Sequence, residues 1–128
     1  MKKAEGEAKD LSHGVSFVSP AEKYAGDHPE TANSDLVVIT AGRGQQNGET
    51  RIDLVKNNMK IFKSIVPQIV KYPPPNAIIL VTTNPVDILS YITYKISDKS
   101  SYEILGSGTA LDTARLRYLI STQLAIKC

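Results

Sequence analysis

Apolar residues along the chain follow two different periods, and these periods alternate. Residues 35–40, with the sequence DLVVIT, are rich in β-branched side chains and almost continuously apolar, a pattern typical of a strand covered on both faces of a parallel sheet. In the segment that follows, apolar residues from Val55 to Val70 recur at intervals of three or four, which is the period of an amphipathic helix. The pattern predicts a buried strand followed by a long helix.

Capping residues and prolines predict where this helix begins and ends. Thr50 and Asp53 have the spacing of a capping box, in which each side chain accepts a hydrogen bond from the other residue's backbone N–H. Pro67 removes a backbone donor inside the helix and should bend it, and the prolines at 73–75 prevent its continuation. The helix is therefore expected to begin after Thr50 and to end before these three prolines.

Two further pairs of strand and helix follow the same pattern. Strands are predicted at residues 77–81 and 102–105, and helices from Pro85 to about Ile96 and over about 110–126. Asn84 is expected to be the N-cap of the first of these helices, and Thr109 with Asp112 repeats the capping-box spacing at the start of the second. Three strands that alternate with helices predict two consecutive crossover units, and hence an α/β fold with a parallel sheet.

Candidate binding groups are expected at one edge of this sheet. In open α/β sheets, ligands bind at the carboxyl ends of the strands. The loop 41–51, the residues 82–84 and the Gly-Ser-Gly segment at 106–108 each follow a predicted strand. These three segments are therefore expected to lie close together.

Composition and charge argue against several classes of function. Fifteen basic and thirteen acidic residues give a net charge of +2, so no broad cationic surface for nucleic acid or anionic lipid is expected. The single cysteine, Cys128, cannot form an internal disulfide, and no residue cluster indicates a metal site. Glu5, Glu7 and Asp10 interrupt the region where a signal peptide would be apolar, and the apolar runs are too short to span a membrane. A cytoplasmic protein without nucleic-acid or membrane partners is expected.

Three motifs, taken in order, resemble one enzyme family. ITAGRGQQNGETRIDLVKNN at 39–58, VTTNPVDILSY at 81–91 and GSGTALDTARLRYL at 106–119 are similar to the central part of L-lactate dehydrogenases, in the lactate/malate dehydrogenase family, and DLSHG at 10–14 is similar to a segment upstream. The resemblance implies part of a Rossmann-type doubly wound parallel sheet that binds NAD. It also implies hydride transfer between lactate and pyruvate, and a homo-oligomer, which in this family is a tetramer.

The resemblance implies roles for five polar residues. Arg51 matches the catalytic arginine that closes over the substrate carbonyl, and Asp112 matches the carboxylate that orients the catalytic histidine. Arg115 matches the arginine that binds the substrate carboxylate with its planar fork. Asn84 matches the asparagine beside the nicotinamide and the substrate oxygen, and Gln45 matches the glutamine that suits the small uncharged end of pyruvate.

The same resemblance implies where the cofactor lies and which segment moves. The loop 41–51 corresponds to the family's mobile loop, which closes over the substrate and excludes water. The residues that match those lining NAD are Thr40, Ala41, Gly42, Thr82 and Asn84. Absent or small side chains in the Thr-Ala-Gly segment permit the close approach of a cofactor.

Simpler structural interpretations remain open for the charged residues. Arg51 could pair with Glu49 or Asp53 at a solvated helix start. Arg115 could pair with Asp112, since the two have i,i+3 spacing on a helix, and such a pair contributes a few tenths of a kcal/mol. A structure distinguishes these interpretations by showing what each guanidinium contacts.

The choice of substrate is also left open. Malate dehydrogenases commonly carry arginine at the position of Gln45, where it pairs with a second carboxylate. Arg43 lies two residues before Gln45, and Gly44 departs from relatives that have a basic or polar residue there. A malate dehydrogenase-type activity on 2-hydroxy acids is therefore retained as an alternative. Arg117 matches a residue that contributes to a sugar-bisphosphate effector site in some bacterial relatives, although a plain surface arginine is the stronger interpretation.

Two parts of the family pattern are missing from the chain. The glycine-rich turn GxGxxG that cradles the pyrophosphate does not occur, and neither His13 nor His28 stands in the His-Gly-Asp context of the catalytic histidine. The chain is therefore interpreted as an internal fragment that lacks the first strands and the C-terminal substrate domain. Because loss of a general acid/base costs about 10²- to 10⁴-fold in rate, the isolated chain is expected to be inactive.

The expected domain organisation is a partial NAD-binding Rossmann domain over residues 1–128. Its parts are an irregular lead-in at 1–34, with the end of a helix at 5–13 and a short strand at Lys23–Ala25, two βαβ units at 35–108, and the start of a helix leading to the missing substrate domain at 109–128. The apolar strand at 35–40 becomes an open sheet edge. A non-catalytic fragment that joins intact subunits through this edge is the alternative function.

Overall fold

The computed structural model describes residues 2–17 and 20–125, which form four helices, three strands and three short 3-10 helices. The helices are α1 (Lys2–His13), α2 (Arg51–Ile69), α3 (Val86–Ser97) and α4 (Ala110–Leu124), and the strands are β1 (Leu36–Ile39), β2 (Ile78–Val81) and β3 (Ile104–Gly106). The 3-10 helices are Gly14–Phe17, His28–Asn33 and Ser101–Glu103. Cys128 and the predicted end of the last helix lie outside the described residues.

The three strands form a parallel sheet in the order β1-β2-β3. Ile39 of β1 is in register with Val81 of β2, and Val81 is in register with Gly106 of β3. The carboxyl ends of all three strands therefore meet at one edge of the sheet. Helices α2 and α3 are the crossovers between consecutive strands, so the predicted α/β fold with two βαβ units is confirmed.

The core lies on one face of the sheet, where α2 and α3 pack. Its buried apolar side chains are Ile39, Phe62, Val66, Ile69, Ile79, Val81, Leu89 and Ile104. Alternate side chains of a strand point to opposite faces, and on the other face Leu36, Val38 and Leu105 are 52%, 47% and 46% exposed. The prediction that β1 is covered on both faces is therefore wrong for the described residues, since both packed helices lie on the same side.

The start of α2 follows its sequence signal. Thr50 has an extended backbone, the Asp53 N–H donates to Thr50 Oγ1 at 3.2 Å, and the Thr50 N–H donates to Asp53 Oδ2 at 3.2 Å. The predicted capping box is confirmed. Pro67 lies inside the last turn, and the helix continues as far as Ile69, before the three prolines.

Two other predicted caps are wrong. The peptide bond between Asn84 and Pro85 is cis, Pro85 is the N-cap, and α3 begins one residue later than expected. Thr109 precedes α4 with φ −95° and ψ 19°, and its side chain makes no capping hydrogen bond with Asp112. An N-cap residue normally has an extended backbone, which aims its side chain at the free N–H groups of the first turn. Thr109 lacks that backbone, so the same spacing does not produce a capping box.

The N-terminal segment differs in part from expectation. The predicted helix end at 5–13 belongs to α1, which is confirmed, but Lys23–Ala25 forms no strand. Within residues 2–17 and 20–125, no strand pairs with the outer edge of β1. The prediction that β1 is an open sheet edge is therefore confirmed for the described residues. The third strand starts at Ile104 rather than residue 102 because Ser101–Glu103 form a 3-10 turn, in which the Ser100 N–H donates to the Glu103 carboxylate at 2.7 Å.

In the part of the chain that the structure describes, no helix is both long and apolar enough to cross a membrane. The same residues contain no group of three or more His, Cys, Asp or Glu side chains placed to hold a metal ion.

Candidate active site

The carboxyl ends of β1 and β2 are joined by hydrogen bonds that continue beyond the strands. The N–H and the Oγ1 of Thr82 both donate to the carbonyl of Ile39, each at 3.1 Å. The Oγ1 of Thr83 donates to the carbonyl of Ala41 at 2.8 Å. These bonds hold the segment that follows β2 against the segment that follows β1, where the ligand edge of the sheet was expected.

Gly42 packs closely against the segment that follows β2. A Cβ atom placed on Gly42 would lie 2.4 Å from Thr83 Cγ2, far inside van der Waals contact, and the residue has φ of +159°. With any larger residue, the Thr83 side chain or the backbone would have to shift. The glycine therefore serves the close packing of the two loops, in addition to keeping the nearby surface free of side chains.

Asn58 connects both loops to helix α2, and sequence reasoning missed it. Its side chain is completely buried, with Oδ1 accepting from the Arg43 N–H at 2.9 Å. Its Nδ2 donates to the carbonyls of Arg43 and Asn84, at 3.2 and 3.1 Å. One amide thus ties α2 to the loop after β1 and to the residue that precedes the cis peptide.

The loop from Arg43 to Glu49 is closed by one carboxylate. Both terminal nitrogens of Arg43 donate to the two oxygens of Glu49 in a bidentate pair. The same carboxylate accepts from the Gln46 N–H at 2.9 Å and from Asn57 Nδ2 at 3.3 Å. The hydrogen bond from Arg43, followed by that from the Gln46 backbone, lowers the pKa of Glu49, and the bond to Glu49 raises the pKa of Arg43.

A cleft of about 430 Å³ opens beside this loop, at the start of α2 and α3. Its polar lining includes Gln45, Arg51 and Asn84, and its apolar lining includes Ile52 and Ile88. The structure thus brings together three of the residues to which the resemblance gives a substrate role. An arginine, two amides and an apolar wall suit a small carbonyl compound with one apolar end.

Arg51 does not make the ion pairs that the simpler interpretation required. Glu49 is bound by Arg43, and Asp53 by Thr50, whose hydroxyl donates to Asp53 Oδ2 at 2.6 Å. These hydrogen bonds from Thr50 lower the pKa of Asp53. In the described part of the chain Arg51 forms no ion pair, and it lines the cleft.

Asp112 and Arg115 lie outside this cleft. Both project from α4, none of whose described residues is buried, and their side chains are 73% and 65% exposed. Arg115 pairs with Asp112 at 3.3 Å, which is the simpler interpretation of their spacing. The described residues therefore do not bring them together with Arg51, and neither His13 nor His28 lines the cleft.

The residues predicted to line the cofactor lie at the carboxyl edge of β1 and β2. Thr40 and Gly42 are exposed, and Ala41 and Thr82 are half-buried. A surface with only methyl and hydroxyl groups beside a glycine leaves room for a planar ring and its ribose to approach the backbone. The chemistry of this edge fits a dinucleotide, and Asn84 borders both the edge and the cleft.

The sequence of the chain matches one known protein family over most of its length. Residues 1–106 match the family profile of the lactate/malate dehydrogenase NAD binding domain. The chain is 57% identical over 124 residues to L-lactate dehydrogenase 1 of Clostridium acetobutylicum, and 56% identical over 125 residues to an L-lactate dehydrogenase of Acetivibrio thermocellus. These alignments cover 97% and 98% of this chain and 39% of each relative, so the chain spans about two fifths of their length.

Solved structures agree with the sequence comparison. The lactate dehydrogenase MGS-M5, from a Medee basin deep-sea metagenome library, superposes with a TM-score of 0.86 at 46% identity. The minor L-lactate dehydrogenase of Enterococcus mundtii superposes with a TM-score of 0.88 at 39% identity. Each alignment covers 98% of this chain and 40% of the other. The chain is part of an NAD-binding Rossmann domain with NAD as its cofactor, and it belongs to the lactate/malate dehydrogenase family.

Proposed function

We propose that this chain provides one side of the active site of an NAD-dependent L-lactate dehydrogenase, which interconverts pyruvate and lactate. The observation that carries the proposal is the cleft that gathers Gln45, Arg51 and Asn84 beside the carboxyl edge of the sheet. When bound, NAD supplies or accepts the hydride at the C2 carbon of the substrate. The remaining chemistry is binding, polarisation and exclusion of water, to which these side chains contribute.

Arg51 is proposed to polarise the substrate carbonyl. A guanidinium without an ion-pair partner keeps its donors available for an oxygen that gains negative charge during reduction. Asn84 supplies an amide at the same cleft, and its own position is fixed through its carbonyl by Asn58. Together they are proposed to supply two hydrogen-bond donors to the reacting carbonyl.

Gln45 is proposed to select pyruvate over oxaloacetate. A dicarboxylate needs a cation at this end of the cleft, because a carboxylate stripped of water and left unpaired is strongly disfavoured. Gln45 lines the cleft, whereas Arg43, the residue that kept a malate activity open, is bound by Glu49 and is not among the lining residues. This arrangement supports the lactate dehydrogenase assignment over the malate dehydrogenase alternative.

Asp112 and Arg115 keep their proposed roles only in the complete polypeptide. Their exposure on α4 leaves both side chains accessible to a further part of the protein, which would also carry the catalytic histidine. We accordingly propose that residues 1–128 are a partial Rossmann domain, with the two βαβ units at 35–108 and α4 leading to a substrate domain. The isolated chain is then inactive, and the complete enzyme is a cytoplasmic homo-oligomer.

The proposal is tested by steady-state kinetics on a complete polypeptide that contains this sequence. Saturable oxidation of NADH with pyruvate is expected, and changing Arg51→Gln should lower kcat/KM by about 10²- to 10³-fold because a transition-state donor is removed. The matched control is Lys56→Gln, a change at an exposed cation of the same helix, which should leave kcat/KM within about twofold. Equal effects of the two changes would contradict the role of Arg51, and a preference for oxaloacetate would select the malate alternative.

One observation favours the non-catalytic alternative. The free edge of β1 and the bare face of the sheet expose Leu36 and Val38, which suits pairing with another chain. The intact mass of the cellular species that carries the loop sequence GRGQQNGETR separates the two ideas. A mass well above the 14.0 kDa of this chain supports the enzyme, and a mass of 14.0 kDa supports the associating fragment.

A further inference from the structure

Two arginines flank the loop beside the cleft, and they are in opposite states. Arg51 lines the cleft and forms no ion pair among the described residues. Arg43 is outside the cleft lining, and both its terminal nitrogens are bound by the carboxylate of Glu49. The loop therefore contains a second cation, Arg43, whose guanidinium is already hydrogen-bonded to a carboxylate.

Glu49 is itself held in place by several donors. Its carboxylate accepts from the Gln46 N–H at 2.9 Å and from Asn57 Nδ2 at 3.3 Å. Its backbone carbonyl accepts from Nε2 of Gln45 at 2.5 Å. The residue that binds Arg43 is thus also the residue that positions the neutral amide at the cleft.

Open space beside Gly44 and Gly48 would allow the Arg43 side chain to turn toward the cleft. Gly44, between Arg43 and Gln45, has no heavy atom within 4 Å of where a Cβ would stand, and Gly48 has φ of +83°. A glycine accepts backbone changes that other residues resist. Asn58 fixes the backbone of Arg43. Only the side chain of Arg43 therefore has to be held away from the cleft.

We propose that Glu49 is a specificity residue that sequesters Arg43 and thereby keeps the Gln45 end of the cleft neutral, excluding dicarboxylic 2-oxo acids. The inference rests on the proposed function, because it assumes that the cleft receives a 2-oxo acid. A guanidinium released beside Gln45 would offer a bidentate partner to a second carboxylate. Selectivity then depends on an intramolecular ion pair as well as on the residue at position 45.

The test compares oxaloacetate with pyruvate in the complete polypeptide. Glu49→Gln retains the shape of the side chain and one acceptor oxygen for the Gln46 N–H, but removes the charge that holds Arg43. The longer bond from Asn57, which ends on the other oxygen, is lost as well. We expect the ratio of kcat/KM for oxaloacetate to that for pyruvate to rise at least tenfold, mainly through a lower KM for oxaloacetate. The double change Arg43→Gln with Glu49→Gln should return the ratio to within about twofold of the unaltered protein.

Three results would overturn the inference. The first is a fall in kcat/KM for pyruvate with no gain for oxaloacetate, the second is no change in either value, and the third is a raised ratio that persists in the double variant. Failure of the proposed function is seen separately, in the unaltered protein, as a preference for oxaloacetate. A pyruvate preference with an unresponsive ratio rejects only the role of Glu49.

Discussion

All three hydrogen bonds of the Asn58 side chain end on the backbone of the loops that border the cleft. Two involve Arg43 and one involves the carbonyl of Asn84. Since the side chain is completely buried, water cannot replace the amide without a cavity being opened. Asn58 therefore sets the distance between the loop after β1 and the loop after β2.

The first prediction concerns Asn58→Ala in the complete polypeptide. We expect a loss of about 1–3 kcal/mol in the free energy of unfolding, because the N–H and carbonyl groups that Asn58 binds lose their partner. The measurement is urea unfolding followed by circular dichroism. The control is the neighbouring Asn57→Ala, which removes a single bond of 3.3 Å to Glu49 and should cost less than about 1 kcal/mol. Indistinguishable losses for the two variants would reject the special role of Asn58.

At the scale of the element, identical spacings at two helix starts have different outcomes. Thr50 and Asp53 form a complete capping box at α2, with Thr50 at φ −82° and ψ 163°. Thr109 has ψ of 19°, and among the described residues α4 begins with the backbone bond from the Thr113 N–H to the Thr109 carbonyl, at 2.8 Å. The backbone of the N-cap residue, which depends on the preceding turn, decides whether the motif forms.

This contrast gives a matched pair of variants. Thr50→Ala should lower the free energy of unfolding by about 1 kcal/mol, because the free N–H of Asp53 loses its acceptor. Thr109→Ala should lower it by less than about 0.3 kcal/mol, since no capping bond is lost. Thermal and urea unfolding of both variants provide the comparison. A larger loss at Thr109 than at Thr50 would show that the capping geometry is wrong.

The sequence was sufficient to predict elements whose signal is local. The periods of apolar residues place the three strands and α2 within about two residues, because amphipathic periodicity depends only on near neighbours. The bare sheet face was not predictable, since coverage depends on segments far away in sequence. The cis peptide bond before Pro85 was also not predicted from the sequence, because a proline at a helix start normally follows a trans bond.

The candidate site could also be predicted in part from the sequence. The sequence indicated that loops at the carboxyl ends of strands would meet, and Gln45, Arg51 and Asn84 do line one cleft. Asn58 was overlooked because a polar residue in a helix is usually solvated. Its spacing of four residues before the buried Phe62 placed it on the apolar face, and that signal was present in the sequence.

On the scale of the whole molecule, carboxylates with hydrogen-bonded partners link stability to pH. The pKa of Glu49 is lowered chiefly by Arg43, that of Asp53 by Thr50, and that of Glu103 by the Ser100 backbone N–H. A group whose pKa is lower in the folded state stabilises that state above the pKa of the unfolded chain. The contribution is lost as the pH falls through the lower, folded value.

Stability should therefore be level from pH 7 to about pH 5 and should decline below about 4.5, the ordinary value for glutamate. Urea midpoints measured between pH 3 and pH 7 test this. The double variant Glu49→Gln with Glu103→Gln should show a shallower decline than the unaltered protein. A decline confined to the range between pH 5 and pH 7, or one unaffected by the double variant, would contradict these two carboxylates as the source.

In the function that we propose, Asn58 would also limit how far the loop 41–51 can move. Because it anchors the Arg43 backbone, and the capping box anchors Thr50, the hinges of any closing motion must lie between these two residues. The moving segment is then 44–49, shorter than the loop 41–51 inferred from the resemblance. Six residues have a contour of about 20 Å, so a tip tethered at both ends travels on the order of 10 Å at most. The proposed closure over a substrate would then be a short movement beside the cleft.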